Sequence, residues 1–301
     1  MTPASEMNRP LPRVAPAVLA GLYQHQLMTT TQIHALFTPR AGQRWTRKAL
    51  DVLKRRELVD RVRGPGTLSC WYLTETGADA VEAAGPRGEQ RRRVASRAQV
   101  EGLLKRHTIA VNDVGVAFVL AARARRDECD WRHEIAHPIS AGSLRRPPQL
   151  VIADALLTYL QAEDGEIFLH QRFIEVDRGT ERPAEQLANK LARYTRLRTY
   201  TPSADQADEP LWRHYYRSWP HLLIVLANQS PERVQRRIER VLALYESEPT
   251  KGSRREVPFS FVTLSDLIAH GPFAPIFTSP THAEPVDWLG QPPQKKVNDG
   301  S

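Results

Sequence analysis

Three carboxylates and one lysine in the middle of the chain have the residue types and spacing of a cation-dependent phosphodiester site. Asp154 interrupts a short apolar run, VIADALLTYL, which is rich in strand-forming residues. Glu175 and Asp177 end a second strand-like run, and the alternation of a strand places both on one face. Lys190 lies at the edge of a helical apolar stripe and therefore faces the sheet. Such acids are typical ligands of Mg²⁺ or Mn²⁺, which is the predicted cofactor.

A hairpin and the helix that follows it must hold these four residues together. The pair Asp164-Gly165 suits the tight turn between the two strands. Thr180 is the predicted N-cap of the helix, and Pro183 is acceptable in its first turn. The predicted buried stripe of this helix comprises Leu187, Leu191 and Tyr194.

The same carboxylates also fit a purely structural interpretation. A carboxylate in an apolar strand needs an ion pair, hydrogen bonds or a bound cation. Glu175 and Asp177 repel each other unless a cation, Arg178 or Arg182 compensates their charge, and a salt-bridge network around Arg178 and Lys190 is the structural alternative. The sequence therefore predicts positive charge among the acids, supplied by either a metal ion or basic side chains.

A second pattern, HEIAH at residues 133–137, has the HExxH spacing that places two zinc ligands on one helical face. Pro138 follows directly and disfavours a helix there, and no third ligand follows at a familiar spacing. A zinc protease with a DNA-binding domain is therefore the least favoured function. Glu134 is instead a candidate extra acid of the site around Asp154.

Residues 14–84 have the pattern of a winged helix-turn-helix. Two helical segments precede a third at about residues 44–57, and then come two short strands and a last helix. The predicted inward stripe of the third helix comprises Trp45, Ala49, Val52 and Leu53. The residues predicted to contact DNA are Arg44, Arg47, Lys48 and Lys54 on this helix and Arg61 and Arg63 on the hairpin. A winged helix that binds another protein is the alternative.

Composition divides the remainder of the chain. Strand-like runs alternate with helical ones, which predicts an α/β domain with a sheet flanked by helices. The predicted parts are a disordered N-terminus at 1–13, a basic linker at 85–97, the α/β domain at 98–275 and a flexible tail at 276–301.

The charge balance favours a polyanionic partner, and double-stranded DNA is the predicted one. The 301 residues include 42 Lys and Arg against 34 Asp and Glu, which gives a net charge of +8. The two cysteines support neither a disulfide framework nor a cysteine-rich zinc site. Without an apolar run of membrane-spanning length or a secretory signal, we expect a soluble cytoplasmic protein with no membrane partner. Homodimerisation and binding to other proteins remain open.

Several segments spread over most of the chain carry a family resemblance. They are Tyr72-Leu73-Thr74 with Gly77, Trp131 with Glu134, Ala153-Asp154-Ala155, and the EVDRGTE and KLARY segments between Glu175 and Tyr194. Together they resemble the replication-relaxation family of plasmids and integrative elements. The resemblance implies a role in plasmid replication and DNA relaxation, with other replication or transfer proteins as candidate partners. It also implies that the second domain has the restriction-endonuclease-like PD-(D/E)XK fold.

The resemblance assigns roles to the central residues. Asp154 matches the first acid of the PD-(D/E)XK pattern and Glu175 matches the second, and in that fold these acids bind Mg²⁺. Asp177 stands where the pattern has its lysine, and Lys190 could supply the amine from the next helix. A metal-dependent endonuclease or nickase is thus implied, with Glu134 as a further acid. The alternative is a degenerate nuclease fold in a non-catalytic replication, transfer or regulatory factor.

Overall fold

The fold is a mixed α+β arrangement in two compact units, Met1–Val116 and Ala117–Ser301. The computed structural model describes residues 10–85, 104–142, 147–179, 184–202, 209–247 and 257–292. The α+β class is as predicted. Most of the predicted linker, the first nine residues, Thr180 and Pro183 lie outside the described residues. No helix in the described part of the chain is long and apolar enough to cross a membrane.

The first unit combines a helix-turn-helix with a small antiparallel sheet. Its elements are α1 (Ala15–His25), β1 (Leu27–Thr29), α2 (Thr30–Phe37), α3 (Gln43–Arg55), β2 (Val59–Arg63), β3 (Ser69–Leu73) and α4 (Glu75–Ala84). The strand order is β1-β3-β2. This is the predicted order of a winged helix, with α3 as its third helix and β2–β3 as its hairpin.

A buried polar cluster sets the direction of α3 against α2. The Thr38 and Thr46 hydroxyl oxygens lie 2.7 Å apart, and His34 Nδ1 lies 3.0 Å from the Thr46 hydroxyl. At the start of α2, Thr29 and Gln32 form a reciprocal capping box. These hydrogen bonds fix both ends of α2 and tie it to α3.

The buried face of α3 is rotated from its prediction. Trp45 is 45% exposed, whereas Thr46 is 1% exposed. The buried residues of α3 are Thr46, Ala49, Leu50 and Leu53. The prediction that Trp45 faces inward is wrong, because the Thr46 hydroxyl finds hydrogen-bond partners inside the unit, and a hydrophobic pattern cannot reveal such partners.

The helix α5 (Leu104–Arg125) supplies its first half to this unit. The side-chain amide of the fully buried Asn112 donates to the carbonyl of Leu27 at 2.7 Å. The Gln32 side chain donates to the carbonyl of Ile109 at 2.9 Å and to Asp113 Oδ1 at 2.7 Å. Burial raises the pKa of Asp113 to about 6, and the bond from Gln32 only partly opposes this. These polar residues are therefore structural.

The second unit is built on a five-stranded mixed sheet. Its elements are β4 (Glu128–Pro138), β5 (Leu150–Glu163), β6 (Glu166–Asp177), α6 (Ala184–Thr199), a short 3₁₀ helix (Leu211–His214), β7 (His221–Leu226), α7 (Pro231–Ser247), β8 (Phe259–Thr263) and α8 (Leu264–His270). The strand order is β4-β5-β6-β7-β8. The first three strands are antiparallel, β7 runs parallel to β6, and β8 runs parallel to β7.

The core next to the site lies between the sheet and α6. Phe173 on β6 is fully buried and packs against Tyr194 with ring centroids 5.4 Å apart. Leu187, Leu191 and Tyr194, the predicted stripe of α6, are all buried. This packing fixes the rotation of α6 and turns Lys190 toward the sheet.

The segment after α8 differs from its prediction as a flexible tail. Phe277 is fully buried and pairs through its backbone with Val286. Trp288 packs against Tyr159 with ring centroids 4.9 Å apart. The prediction is therefore wrong for residues 276–292, because a few apolar residues anchor a segment whose overall composition is polar.

Candidate functional site

Asp154 lies where β5 and β6 separate. Backbone pairing between the two strands runs as far as Ala155 and Ile174. At the next position, Asp154 Oδ2 accepts the backbone N–H of Val176 at 2.8 Å. The carboxylate takes the place of a backbone carbonyl, and this bond orients its other oxygen toward α6.

Lys190 joins the two acids that the sequence placed on neighbouring strands. Its Nζ lies 3.2 Å from Asp154 Oδ1 and also contacts Glu175 Oε2. The hydroxyl of Tyr194 donates to the other oxygen of Glu175 at 2.5 Å. We call Asp154, Glu175, Lys190 and Tyr194 the acidic cluster. Three of the predicted site residues therefore meet at one point.

Burial shapes the protonation of the acidic cluster. Burial raises the pKa of Glu175 to about 8, with a further increase from Asp154, against the opposing effects of Lys190 and Tyr194. Burial alone would lower the pKa of Lys190, but the carboxylates of Glu175 and Asp154 outweigh it and raise that pKa. Lys190 therefore supplies the positive charge that Asp154 and Glu175 share, and Glu175 binds a proton more readily than an ordinary glutamate.

Asp177 belongs to a separate ion pair. Arg237 on α7 donates to both of its carboxylate oxygens, at 2.8 and 3.1 Å. The backbone N–H of Gly179 adds a third bond at 2.9 Å. The sequence predicts Arg178, Arg182 or Lys190 as the neutralising residue and gives no prediction for Arg237. Its only signal in the sequence was an arginine on the helix after the next strand.

Glu134 lies on β4, opposite Asp154 of β5, but does not join the acidic cluster. It stands between His133 and Ile135, which pair with Ala155 and Ala153. Its backbone φ is 55°, an uncommon value for a residue with a side chain. The side chain is exposed and, among the described residues, makes no ion pair with Lys190. A role for Glu134 in this site stays a prediction.

The HExxH segment lies on strand β4. Side chains four residues apart on a strand are about 13 Å apart, so the two histidines cannot share one zinc ion as they would on a helix. His137 is buried and its Nε2 lies 2.8 Å from the hydroxyl of Tyr216. His133 Nε2 accepts a bond from Trp131 at 3.1 Å. The geometry does not support the zinc-protease alternative.

The carboxylates as arranged do not fit a divalent-cation site. In the part of the chain that the structure describes, no three acidic, histidine or cysteine side chains are placed to hold one ion. The ammonium group of Lys190 contacts both Asp154 and Glu175, and Arg237 binds Asp177. A cation would have to displace these groups, so Mg²⁺ or Mn²⁺ stays a prediction.

The third helix of the winged helix carries the second candidate surface. Arg44, Arg47 and Lys48 are all exposed, and Trp45 is half-exposed beside them. Arg47 donates to Gln43 within the same helix at 3.2 Å. We call Arg44, Trp45, Arg47 and Lys48 the α3 surface.

The side chains of the other residues predicted to contact DNA already make contacts within the protein. Lys54 is 2.6 Å from Asp60 Oδ1, so an acidic neighbour already partly neutralises its charge. Arg61 lies over the ring of the buried Trp71 at 5.6 Å, and Arg63 reaches the carbonyl of Gly66 at 3.5 Å. Arg61 and Arg63 remain exposed on the hairpin.

Comparison with known proteins places the chain in a family. A family model described as replication-relaxation matches residues 19–208, well over half of the 301 residues. The chain belongs to the replication-relaxation family. No curated protein and no solved structure matches it.

The replication-relaxation match covers both candidate surfaces. The α3 surface and the whole acidic cluster lie inside residues 19–208, whereas Arg237 lies beyond them. Family membership connects the chain with replication and relaxation of the DNA of mobile elements. It does not decide between binding and cutting.

Proposed function

We propose that this protein is a DNA-binding factor of plasmid or mobile-element replication, which holds duplex DNA through the α3 surface. The observation that carries the proposal is the exposed row of Arg44, Arg47 and Lys48 on the third helix of a winged helix. Among the described residues, neither Arg44 nor Lys48 makes an ion pair, so their charge is available to phosphates.

The width of the helix and the charges on the hairpin support duplex binding by the α3 surface. An α-helix with side chains is about 10–12 Å wide, and the major groove of duplex DNA is about 12 Å wide. Positions 44, 47 and 48 share one helical face, and Trp45 beside them offers an apolar contact for bases or sugars. Arg61 and Arg63 on β2 add charge for the neighbouring phosphates.

Replacing two arginines of the α3 surface tests the proposal. We expect Arg44→Gln with Arg47→Gln to weaken binding to a labelled duplex by at least about tenfold, because two charge-assisted phosphate contacts are lost. The matched control is Arg233→Gln with Arg236→Gln, which removes the same charge from an exposed face of α7. Equal affinities of the two variants in a gel-shift titration would exclude the α3 surface as the duplex site.

For the acidic cluster and for Asp177 we propose a structural role, so that the chain binds DNA without cutting it. The support is the neutralisation of Asp154 by Lys190 and of Asp177 by Arg237. In this arrangement, the second unit is a scaffold that accompanies the DNA-binding winged helix. This corresponds to a replication or transfer accessory factor with a degenerate nuclease fold.

Metal-dependent nicking of DNA is the second candidate function. The observation that favours it is the meeting of Asp154, Glu175 and Lys190, the residue types of the PD-(D/E)XK pattern, at one point. The test is to incubate supercoiled plasmid with Mn²⁺ or with a chelator and to compare the parent with Asp154→Asn. We expect no open-circular product from either protein. Mn²⁺-dependent nicking by the parent that is lost in the variant would establish the nuclease.

A further inference from the structure

A groove separate from the α3 surface runs along the second unit, between α6 and the start of β5. Its volume is about 560 Å³, and Lys190 of the acidic cluster lies in its wall. The side chains that define it, which we call the α6 groove, are Leu150, Ile152, Gln186, Asn189, Arg193 and Arg196. All of them belong to the unit Ala117–Ser301.

The α6 groove is positively charged and has unused hydrogen-bonding groups. Arg193 and Arg196 are exposed, and no acidic residue lines the groove among the described residues. Within that same part of the chain, neither arginine forms an ion pair. The amides of Gln186 and Asn189 are also exposed on the same face of α6. These groups can donate to phosphate oxygens and to polar base edges.

The opposite wall of the α6 groove is apolar. Leu150 and Ile152 are 37% and 46% exposed, although the strand residue between them, Val151, is buried. Alternation along β5 therefore directs two aliphatic side chains into the groove. A ligand that matches both walls carries negative charge along one side and flat apolar surface along the other.

We propose that the α6 groove binds single-stranded DNA. A positively charged groove that follows the backbone, combined with surfaces for unstacked bases, is the general design of single-strand sites. The volume lies within the range of about 300–1,000 Å³ for small-ligand pockets, which suits about one or two nucleotides of a strand and is too small to enclose a duplex. This inference rests on the proposed function only in taking DNA as the partner.

The position of the α6 groove also shows which positive charges a strand can use. Lys190 lines the groove, but its charge is shared with Asp154 and Glu175. The charge available to a strand therefore comes from Arg193 and Arg196, about one and two helical turns further along α6. A bound strand would pass directly beside the acidic cluster.

The experiment uses the full chain and a fluorescently labelled oligothymidylate, which cannot form a duplex with itself. We expect Arg193→Gln with Arg196→Gln to bind it at least about tenfold more weakly than the parent. The slope of log affinity against log salt should shrink by about 1.4, because each lost phosphate contact contributes about 0.7. Duplex affinity should stay within about twofold of the parent value.

Two further variants serve as controls. Arg233→Gln with Arg236→Gln removes the same charge outside the α6 groove and should leave oligothymidylate binding unchanged. Ile152→Glu places a negative charge on the apolar wall and should weaken binding without removing an arginine. Because all replaced residues are exposed, melting temperatures should match the parent and show that the variants fold.

The outcomes separate this inference from the proposed function. Failure of the parent to bind oligothymidylate, or equal loss in the α7 control, would overturn the α6 groove as a site. The groove is likewise excluded if only Arg44→Gln with Arg47→Gln weakens single-strand binding. Loss of duplex binding in that variant supports the proposed function whichever way the groove experiment turns out.

Discussion

Among single residues, Lys190 matters most to the acidic cluster, because its ammonium group contacts both Asp154 and Glu175. We expect Lys190→Met to lower the free energy of unfolding by about 2–4 kcal/mol at pH 7. This is somewhat less than the roughly 3–5 kcal/mol typical of broken buried pairs, because the lysine side chain keeps 19% exposure. Chemical denaturation of the parent and the variant measures the difference.

The matched control for Lys190 is the double variant Asp154→Asn with Lys190→Met, which removes both members of the charged pair. It should regain part of the lost stability, since no unpaired charge stays buried. A Lys190→Met protein as stable as the parent would contradict the structural role of the ion pair.

The pH dependence of stability tests the protonation of Glu175. Its pKa in the folded protein, about 8, lies above the ordinary 4.5. Between these two pH values, the folded state therefore keeps on Glu175 a proton that the unfolded state has released. The resulting contribution to stability is present at low pH and declines as the pH rises from about 4.5 through 8.

Glu175→Gln imitates the protonated side chain and removes this titration. Between about pH 5 and 8.5 we expect the melting temperature of the variant, minus that of the parent, to increase with pH. The reason is that only the parent has a carboxyl group that loses its proton on unfolding. Thermal unfolding in a series of buffers measures the difference. A difference that does not change with pH would contradict a raised pKa of Glu175.

At the level of elements, the presentation of the α3 surface depends on the buried hydroxyl cluster between α2 and α3. Thr46→Val keeps the shape of the side chain but leaves His34 and Thr38 without this hydroxyl partner. We expect a loss of about 1–2 kcal/mol in unfolding free energy. Duplex affinity should also fall, since α3 is less firmly directed.

The control for this element is Ser69→Ala at the start of β3, a partly buried hydroxyl outside the His34 cluster. It should change stability and duplex affinity little. Unchanged unfolding in Thr46→Val would show that the hydroxyl cluster does not hold the two helices.

The elements also show where sequence reasoning succeeds and fails. The winged-helix order follows from helical periodicity, capping residues and turn residues, all of which are local. β4 was not predicted, although its exposed residues alternate with buried or partly buried ones, as on a strand with one solvated face, because its HEIAH segment was weighed only as a helical zinc motif. The burial of Thr46 instead of Trp45 depends on hydrogen bonds to α2 and the residue that follows it, which local patterns do not contain.

The same limit applies to the candidate site. The meeting of Asp154, Glu175 and Lys190 could be predicted, because two adjacent strands and the next helix bring together residues that are at most 36 positions apart. The partner of Asp177 could not be predicted, since Arg237 lies 60 residues further along the chain. Whether such acids bind a metal ion or form ion pairs with basic side chains depends on these distant contacts.

At the level of the whole molecule, a net charge of +8 alone would draw the chain to any polyanion. The two proposed sites make a more specific claim, because each is proposed for one form of DNA, the α3 surface for a duplex and the α6 groove for a single strand. Variants of equal charge on different faces therefore separate these sites from general attraction.

The salt dependence of duplex binding by the full chain tests the central claim most directly. The five basic residues available to phosphates are Arg44, Arg47, Lys48, Arg61 and Arg63. At about 0.9 per contact, they predict a slope of log affinity against log salt of roughly −4 to −5. Arg44→Gln with Arg47→Gln should make this slope shallower by about 1.8, while the α7 control leaves it unchanged. An identical slope in the parent and both variants would contradict duplex binding through the α3 surface.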